Sequence, residues 1–226
     1  MNGHELLSPH ATKALEYGIA VAYLLLFIPF WRAMNAPARA RATARAFSFA
    51  DLFHVPDGVH LHRGHAWARP ETAGVAVGID DFGHGLVGPI DAFELPAVGW
   101  RVQQGNVAFG VRAGGQSFAL RAPVDGTVTE VNPLALSDPA ALHGDPYGAG
   151  WLFKVQPNRL SRNIRTLFSG DRARKFLAEA AEALQIAFRP EALSLAQDGG
   201  ALVHGIAREL DPEHWDDLVR SSFLTR

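Results

Sequence analysis

Histidine is the residue whose spacing most invites chemistry in this chain. His54, His60, His62, His65 and His84 fall within one short stretch. In extended backbone His60 and His62 project to the same side. They are therefore candidate ligands for zinc, copper or haem iron. Glu94, Asp80 or Asp81 are the candidate carboxylates beside them. The competing reading is structural: exposed or hydrogen-bonded histidines that hold no metal. Histidine with nearby acids also suits proton transfer, but no nucleophile or substrate-binding signature accompanies it, so no enzyme is expected and no small-molecule substrate is evident. The glycines between Gly78 and Gly88 are not followed by Lys-Ser/Thr and make no phosphate loop. Asp80 and Asp81 are expected to cap a turn.

Two shortages narrow the chemistry further. Cysteine is absent, which removes disulfides, thiolate nucleophiles, iron–sulfur ligation and cysteine-rich zinc sites. Lysine, the amine used for covalent attachment, occurs only as Lys13, Lys154 and Lys175. A net charge of -2 gives no sign of a nucleic-acid partner.

Short strands must position these residues. Val75–Asp80, Leu86–Leu95 (interrupted at Gly88-Pro89), Asn106–Val111, Gln116–Arg121, Gly126–Val131 and Trp151–Gln156 read as strands. Gly- and Pro-rich turns separate them, the pattern of a small sandwich or barrel. After Pro157 the periodicity becomes helical. Asp171 is a candidate N-cap, and Phe176, Leu177, Ala180, Leu184 and Phe188 share a face, with Arg189-Pro190 as the stop. Ala201–Leu210 has no clear type. Asp211-Pro212 suggests a last helix with Trp215, Leu218, Val219 and Phe223 on one side. That face either packs on the sheet or docks on a partner.

The amino-terminal end is different in kind. Residues 1–34 hold a polar lead and an uncharged apolar run, Tyr17–Trp31, which with its flanks approaches the ~20 residues of a bilayer span. A transmembrane helix, a buried helix and a signal peptide all fit, and a single-pass anchor is the expectation taken here. Arg32, Arg39, Arg41 and Arg45 follow the run, so the bulk of the chain is expected on the cytoplasmic side. Residues 35–56 read as an Arg/Ala/Pro-rich juxtamembrane linker, 57–157 as the β domain, and 158–226 as a helical extension.

Seven short motifs then coincide in order and spacing. They are His65-Ala-Trp67, Val77-Gly-Ile-Asp80, Glu94-Leu-Pro-Ala-Val-Gly99, Phe109-Gly-Val111, Ala122-Pro-Val-Asp-Gly126, Val131-Asn132 and Asp145-Pro-Tyr-Gly-Ala-Gly-Trp151. Together they resemble the glycine cleavage system H protein family over about Asp57–Pro157, and more weakly over Leu167–Ala180. The resemblance implies a mainly β lipoyl-domain, or barrel-sandwich hybrid, fold. It also implies a lysine on a hairpin tip that carries lipoate as an amide. Here the hairpin runs Phe109–Pro123 without a lysine, and Gln116 or Gly115 stands at the lysine's place, depending on the end from which it is aligned. Gly114, Gly115 and Gln116 thus form a degenerate lipoyl hairpin, and no cofactor is expected. The reading is a non-catalytic scaffold or accessory subunit, bound to protein subunits of a membrane complex, with electron transfer as the setting suggested by the family's redox role. The alternatives are an H-like carrier in one-carbon metabolism and a histidine-based metal or haem protein.

Overall fold

A computed structural model describes residues 9–34, 55–187 and 205–224. The chain divides into two units, Met1–Phe47 and Ser48–Arg226.

In the first unit, helix α1 spans Pro9–Met34. Its side chains from Tyr17 to Ile28, with Phe30 and Trp31, are exposed. The expected transmembrane helix is not supported here: among the described residues no helix is long and apolar enough to cross a membrane.

The second unit is a two-sheet β body with helices. Its strands are β1 (His60–Leu61), β2 (Ala66–Glu71), β3 (Gly74–Ile79), β4 (Ala92–Glu94), β5 (Arg101–Val102), β6 (Val107–Ala113), β7 (Gln116–Arg121), β8 (Gly126–Val131), β9 (Trp151–Pro157) and β10 (Phe168–Ser169). One sheet has the order β10-β1-β2-β3-β9-β8-β5 and the other β4-β6-β7. The mainly β expectation holds. Strand β3 is buried almost throughout, because it lies mid-sheet. The sheets meet in the core, where Phe109 of β6 packs edge-on against Phe153 of β9 at 5.3 Å between centroids.

Two strand expectations change. Leu86 and Val87 belong to helix α2 (Asp81–Val87), and only Ala92–Glu94 of the expected Leu86–Leu95 strand pairs. The Asp80 side chain accepts from Gly83 N at 2.8 Å and starts the helix. At its other end the Gly88 N–H donates to His84 O, with Gly88 at φ 80 and Pro89 next. Leu86 and Val87 are buried, so their apolar run reads alike for helix or strand. Ala66–Glu71, not expected as a strand, pairs with both β1 and β3.

Among the described residues the remaining helices are α3 (Pro133–Ser137), a 3-10 turn (Pro139–Gly144), α4 (Leu160–Ile164), α5 (Asp171–Ala187), α6 (Ile206–Leu210) and α7 (Trp215–Ser222). Helix α5 buries Leu177 and Leu184 as its periodicity requires. The Arg189-Pro190 stop lies outside the described residues. Helix α7 begins later than Asp211-Pro212 predicted. The Asp211 carboxylate accepts from the backbone N–H groups of Glu213 and His214 and closes a preceding turn instead.

Candidate functional site

Among the described residues the histidines do not gather into a metal-ligand group. His54 lies outside the described residues. His65 is buried, with Nδ1 at 2.9 Å from Asp80 Oδ2, and its ring stacks on Phe82 at 4.6 Å and Phe176 at 5.1 Å. It takes a positive φ of 60, in the tight turn where His65 N donates to His62 O. Asp80 is thus engaged twice, by His65 and by Gly83 N. Glu94 stands on the other sheet, opposite Gly110. His60 pairs with Ala68 across β1–β2. His62 Nδ1 accepts from Gly64 N at 3.1 Å, which commits one of its ligand nitrogens. Among the described residues no group of three His, Asp or Glu side chains is placed to hold a metal ion. His60 and His62 therefore have no third ligand among the described residues.

Burial holds His62 down at about 4, with Arg121, His65 and Arg63 adding repulsion against its charged form. Its ordinary value is 6.5, so in acid the unfolded chain takes up the proton first. Stability from this group is complete above about pH 6.5 and declines as pH falls towards 4. The whole shift corresponds to ~3 kcal/mol at 1.36 kcal/mol per unit. His62 is only partly buried, which leaves about 1–2 kcal/mol. Urea unfolding at pH 7.5 and 4.5 tests this, because His62→Gln is expected to flatten the pH dependence by that amount. An unchanged pH dependence would refute it.

Three of the seven motifs converge, around Trp67. Its Nε1 donates to Ile79 O at 3.0 Å and to Pro146 O at 3.2 Å. Arg69 Nη1 donates to Tyr147 O, and the Tyr147 hydroxyl accepts from Asp81 N. Gly78 faces the indole so closely that a Cβ would lie 2.6 Å from the ring. His65-Ala-Trp67, Val77–Asp80 and Asp145–Trp151 are therefore one packing unit, and their shared job is structural.

The hairpin β6–β7 is the place where the resemblance puts chemistry. Ala113 pairs with Gln116, so Gly114-Gly115 forms a two-residue turn. Both glycines have positive φ, 55 and 80, which matches a type I′ turn. No lysine occurs from Val111 to Arg121. Lys154 lies on β9 with Nζ at 3.0 Å from Glu130 and 4.6 Å from the Trp151 ring centroid. Lys175 on α5 pairs with Glu179, and Lys13 lies on α1. The side chains at this turn do not fit the attachment of an acyl group as an amide.

The sequence left open what the last helix covers. Phe118 of β7 is buried and meets Trp215 edge-on at 5.2 Å and Phe223 at 6.5 Å. Arg220 Nη2 donates to Gln116 Oε1 at 3.3 Å. The Arg208 guanidinium lies 4.4 Å from the Trp215 ring centroid and leaves no room for a Cβ on Gly114. Trp215, Val219 and Phe223 are buried here, worth about 1.5–3 kcal/mol each. The apolar stripe of α7 signalled burial, but nothing local pointed to the hairpin as its partner.

A family model for the glycine cleavage H-protein matches residues 59–180. The glycine cleavage system H protein of Xanthomonas campestris pv. campestris (strain B100) is 42% identical over 106 residues, covering 46% of this chain and 81% of that protein. Its counterpart in Xanthomonas euvesicatoria pv. vesicatoria (strain 85-10) is 41% identical over the same shares. A solved glycine cleavage system H protein from Mycobacterium marinum aligns with TM-score 0.48 and 30% identity, over 56% of this chain and 98% of that one. The matched residues are those that build the two sheets and the Trp67 packing unit, and through them the chain belongs to the glycine cleavage H-protein family.

Proposed function

We propose that this chain is a non-catalytic H-protein-like scaffold subunit, held at a membrane and docked on protein partners, that carries no lipoyl group. The carrying observation is the hairpin: Gly114, Gly115 and Gln116 offer no primary amine where the family's chemistry requires one. Arg112 and Arg121 keep positive charge, but a guanidinium stays protonated and is not acylated in this way. What remains is a rigid β body, which suits docking. The family's members are carriers rather than catalysts, in keeping with this reading.

The exposed apolar side chains of α1 support the membrane attachment. The sequence from Ala14 to Met34, taken whole, reaches ~20 residues. Arg39, Arg41 and Arg45 follow it and favour a cytoplasmic body. Family membership favours a second reading, a carrier in one-carbon metabolism.

Purification of the full chain from its native host separates the two. An intact mass equal to the unmodified sequence, in membranes that retain the chain through an alkaline wash, is the expected result. A mass gain of one lipoyl amide on Lys13, Lys154 or Lys175 would establish the carrier instead. Recovery in the soluble fraction would remove the membrane attachment.

A further inference from the structure

We propose that residues Ile206–Leu224 form a self-docked clasp that covers the Phe118 side of the hairpin and withholds it from a partner protein. The occupant of this face is the chain's own carboxyl-terminal segment. The family match ends at residue 180, so the clasp lies outside the matched region yet settles on the family's carrier hairpin.

Apolar contact and polar latches work together. Phe118 is covered by Trp215 and Phe223, about a hundred residues later in the chain. Arg220 reaches both Gln116 Oε1 and Ser117 O, while its guanidinium lies 5.4 Å from the Phe118 ring centroid. Arg121 of β7 donates from Nε at 3.1 Å and from Nη2 at 2.8 Å to the carbonyl of Leu224. This bidentate grip ties down the far end of α7. At the near end Gly205 N donates to Gly85 O at 3.0 Å and roots α6 on α2. Phe223 O also lies so close to Gly64 that a Cβ there would sit at 2.9 Å. The clasp is held at both ends and across its middle, and a second protein reaches buried Phe118 only by displacing it, while Gly114, Gly115 and Ser117 stay exposed. This holds whether or not α1 binds a membrane.

The absence of cysteine makes the test direct, since Gln116→Cys in the full chain creates a single thiol. Ala97→Cys, at an exposed loop position, is the reference. Each is labelled with a polymer-linked maleimide, and its rate is divided by its own rate in denaturant to remove intrinsic thiol reactivity. The Gln116→Cys chain is expected to react several-fold more slowly than the reference, because the position is half-buried beside Arg220 until the clasp opens. Adding Trp215→Ala with Phe223→Ala should abolish most of that protection. Where that pair unfolds the chain by circular dichroism, Arg208→Ala with Arg220→Ala releases the latches and leaves the aromatic rings in place. Labelling of the intact chain at the reference rate overturns the proposal. Protection that a folded, clasp-weakened variant retains in full overturns it equally.

Discussion

Trp67→Ala is expected to destabilise the β body by about 3–5 kcal/mol, the range for a large aromatic removed from a packed core. Trp67 is fully buried. Its indole fills the space that Gly78 leaves by lacking a Cβ, and Gly78 and Trp67 are direct partners across β2–β3. The strand pair cannot close that space, because its register is fixed from Ala66↔Ile79 to Glu71↔Gly74. The substitution also strips a donor from Ile79 O and Pro146 O, and Pro146 belongs to a loop joined to this sheet through Trp67 and Arg69. Against a typical total of 5–15 kcal/mol the variant would be marginal. Urea unfolding followed by circular dichroism measures the loss, and a loss below about 1 kcal/mol would contradict this packing. Trp67→Phe keeps most of the volume and should fall between the two.

Asp80→Ala is the second large effect, expected at about 2–4 kcal/mol from two separate sources. The carboxylate is fully buried and is the partner of His65 Nδ1. Its removal leaves a buried imidazole nitrogen without that partner, which costs about 1–3 kcal/mol. It also deletes the N-cap of α2, where it accepts from Gly83 N, for about 1 kcal/mol. Asp80→Asn keeps one acceptor oxygen and should recover part of the loss. A double-mutant cycle with His65→Ala isolates the pair. Coupling of about 0.5–3 kcal/mol is expected of residues in contact. Strict additivity would mean that His65 and Asp80 do not interact.

These two residues show how far the sequence could be read. The strands Gln116–Arg121 and Gly126–Val131 have the bounds that their turn residues implied. The Asp80 cap was legible because a short acceptor before a helical turn acts over three residues. The α2–β4 boundary was not. An apolar run buried on all sides carries no period, so Leu86 and Val87 read equally as strand. The start of α7 shifted because Asp211 has two local uses, capping a helix or closing a turn, and local sequence does not choose between them. The closeness of the histidines in sequence made no ligand group among the described residues. His65 turns inward onto Asp80 while His62 binds the backbone of Gly64.

By itself the sequence determined the family's β body and the lack of a lysine on its hairpin. Both follow from residue identity and short-range order: alternation, turn chemistry and a side chain that either has an amine or has none. Only the tertiary structure decided that the Phe118 side of the hairpin lies under Ile206–Leu224. The stripe of Trp215, Val219 and Phe223 states that a helix face needs burial, but hydrophobic contact is non-directional and names no partner. The Arg220–Gln116 and Arg121–Leu224 contacts join positions more than a hundred residues apart, and no local pattern encodes such a pairing. It took the folded chain to bring the clasp against β7, with the Arg208 guanidinium beside the exposed turn at Gly114.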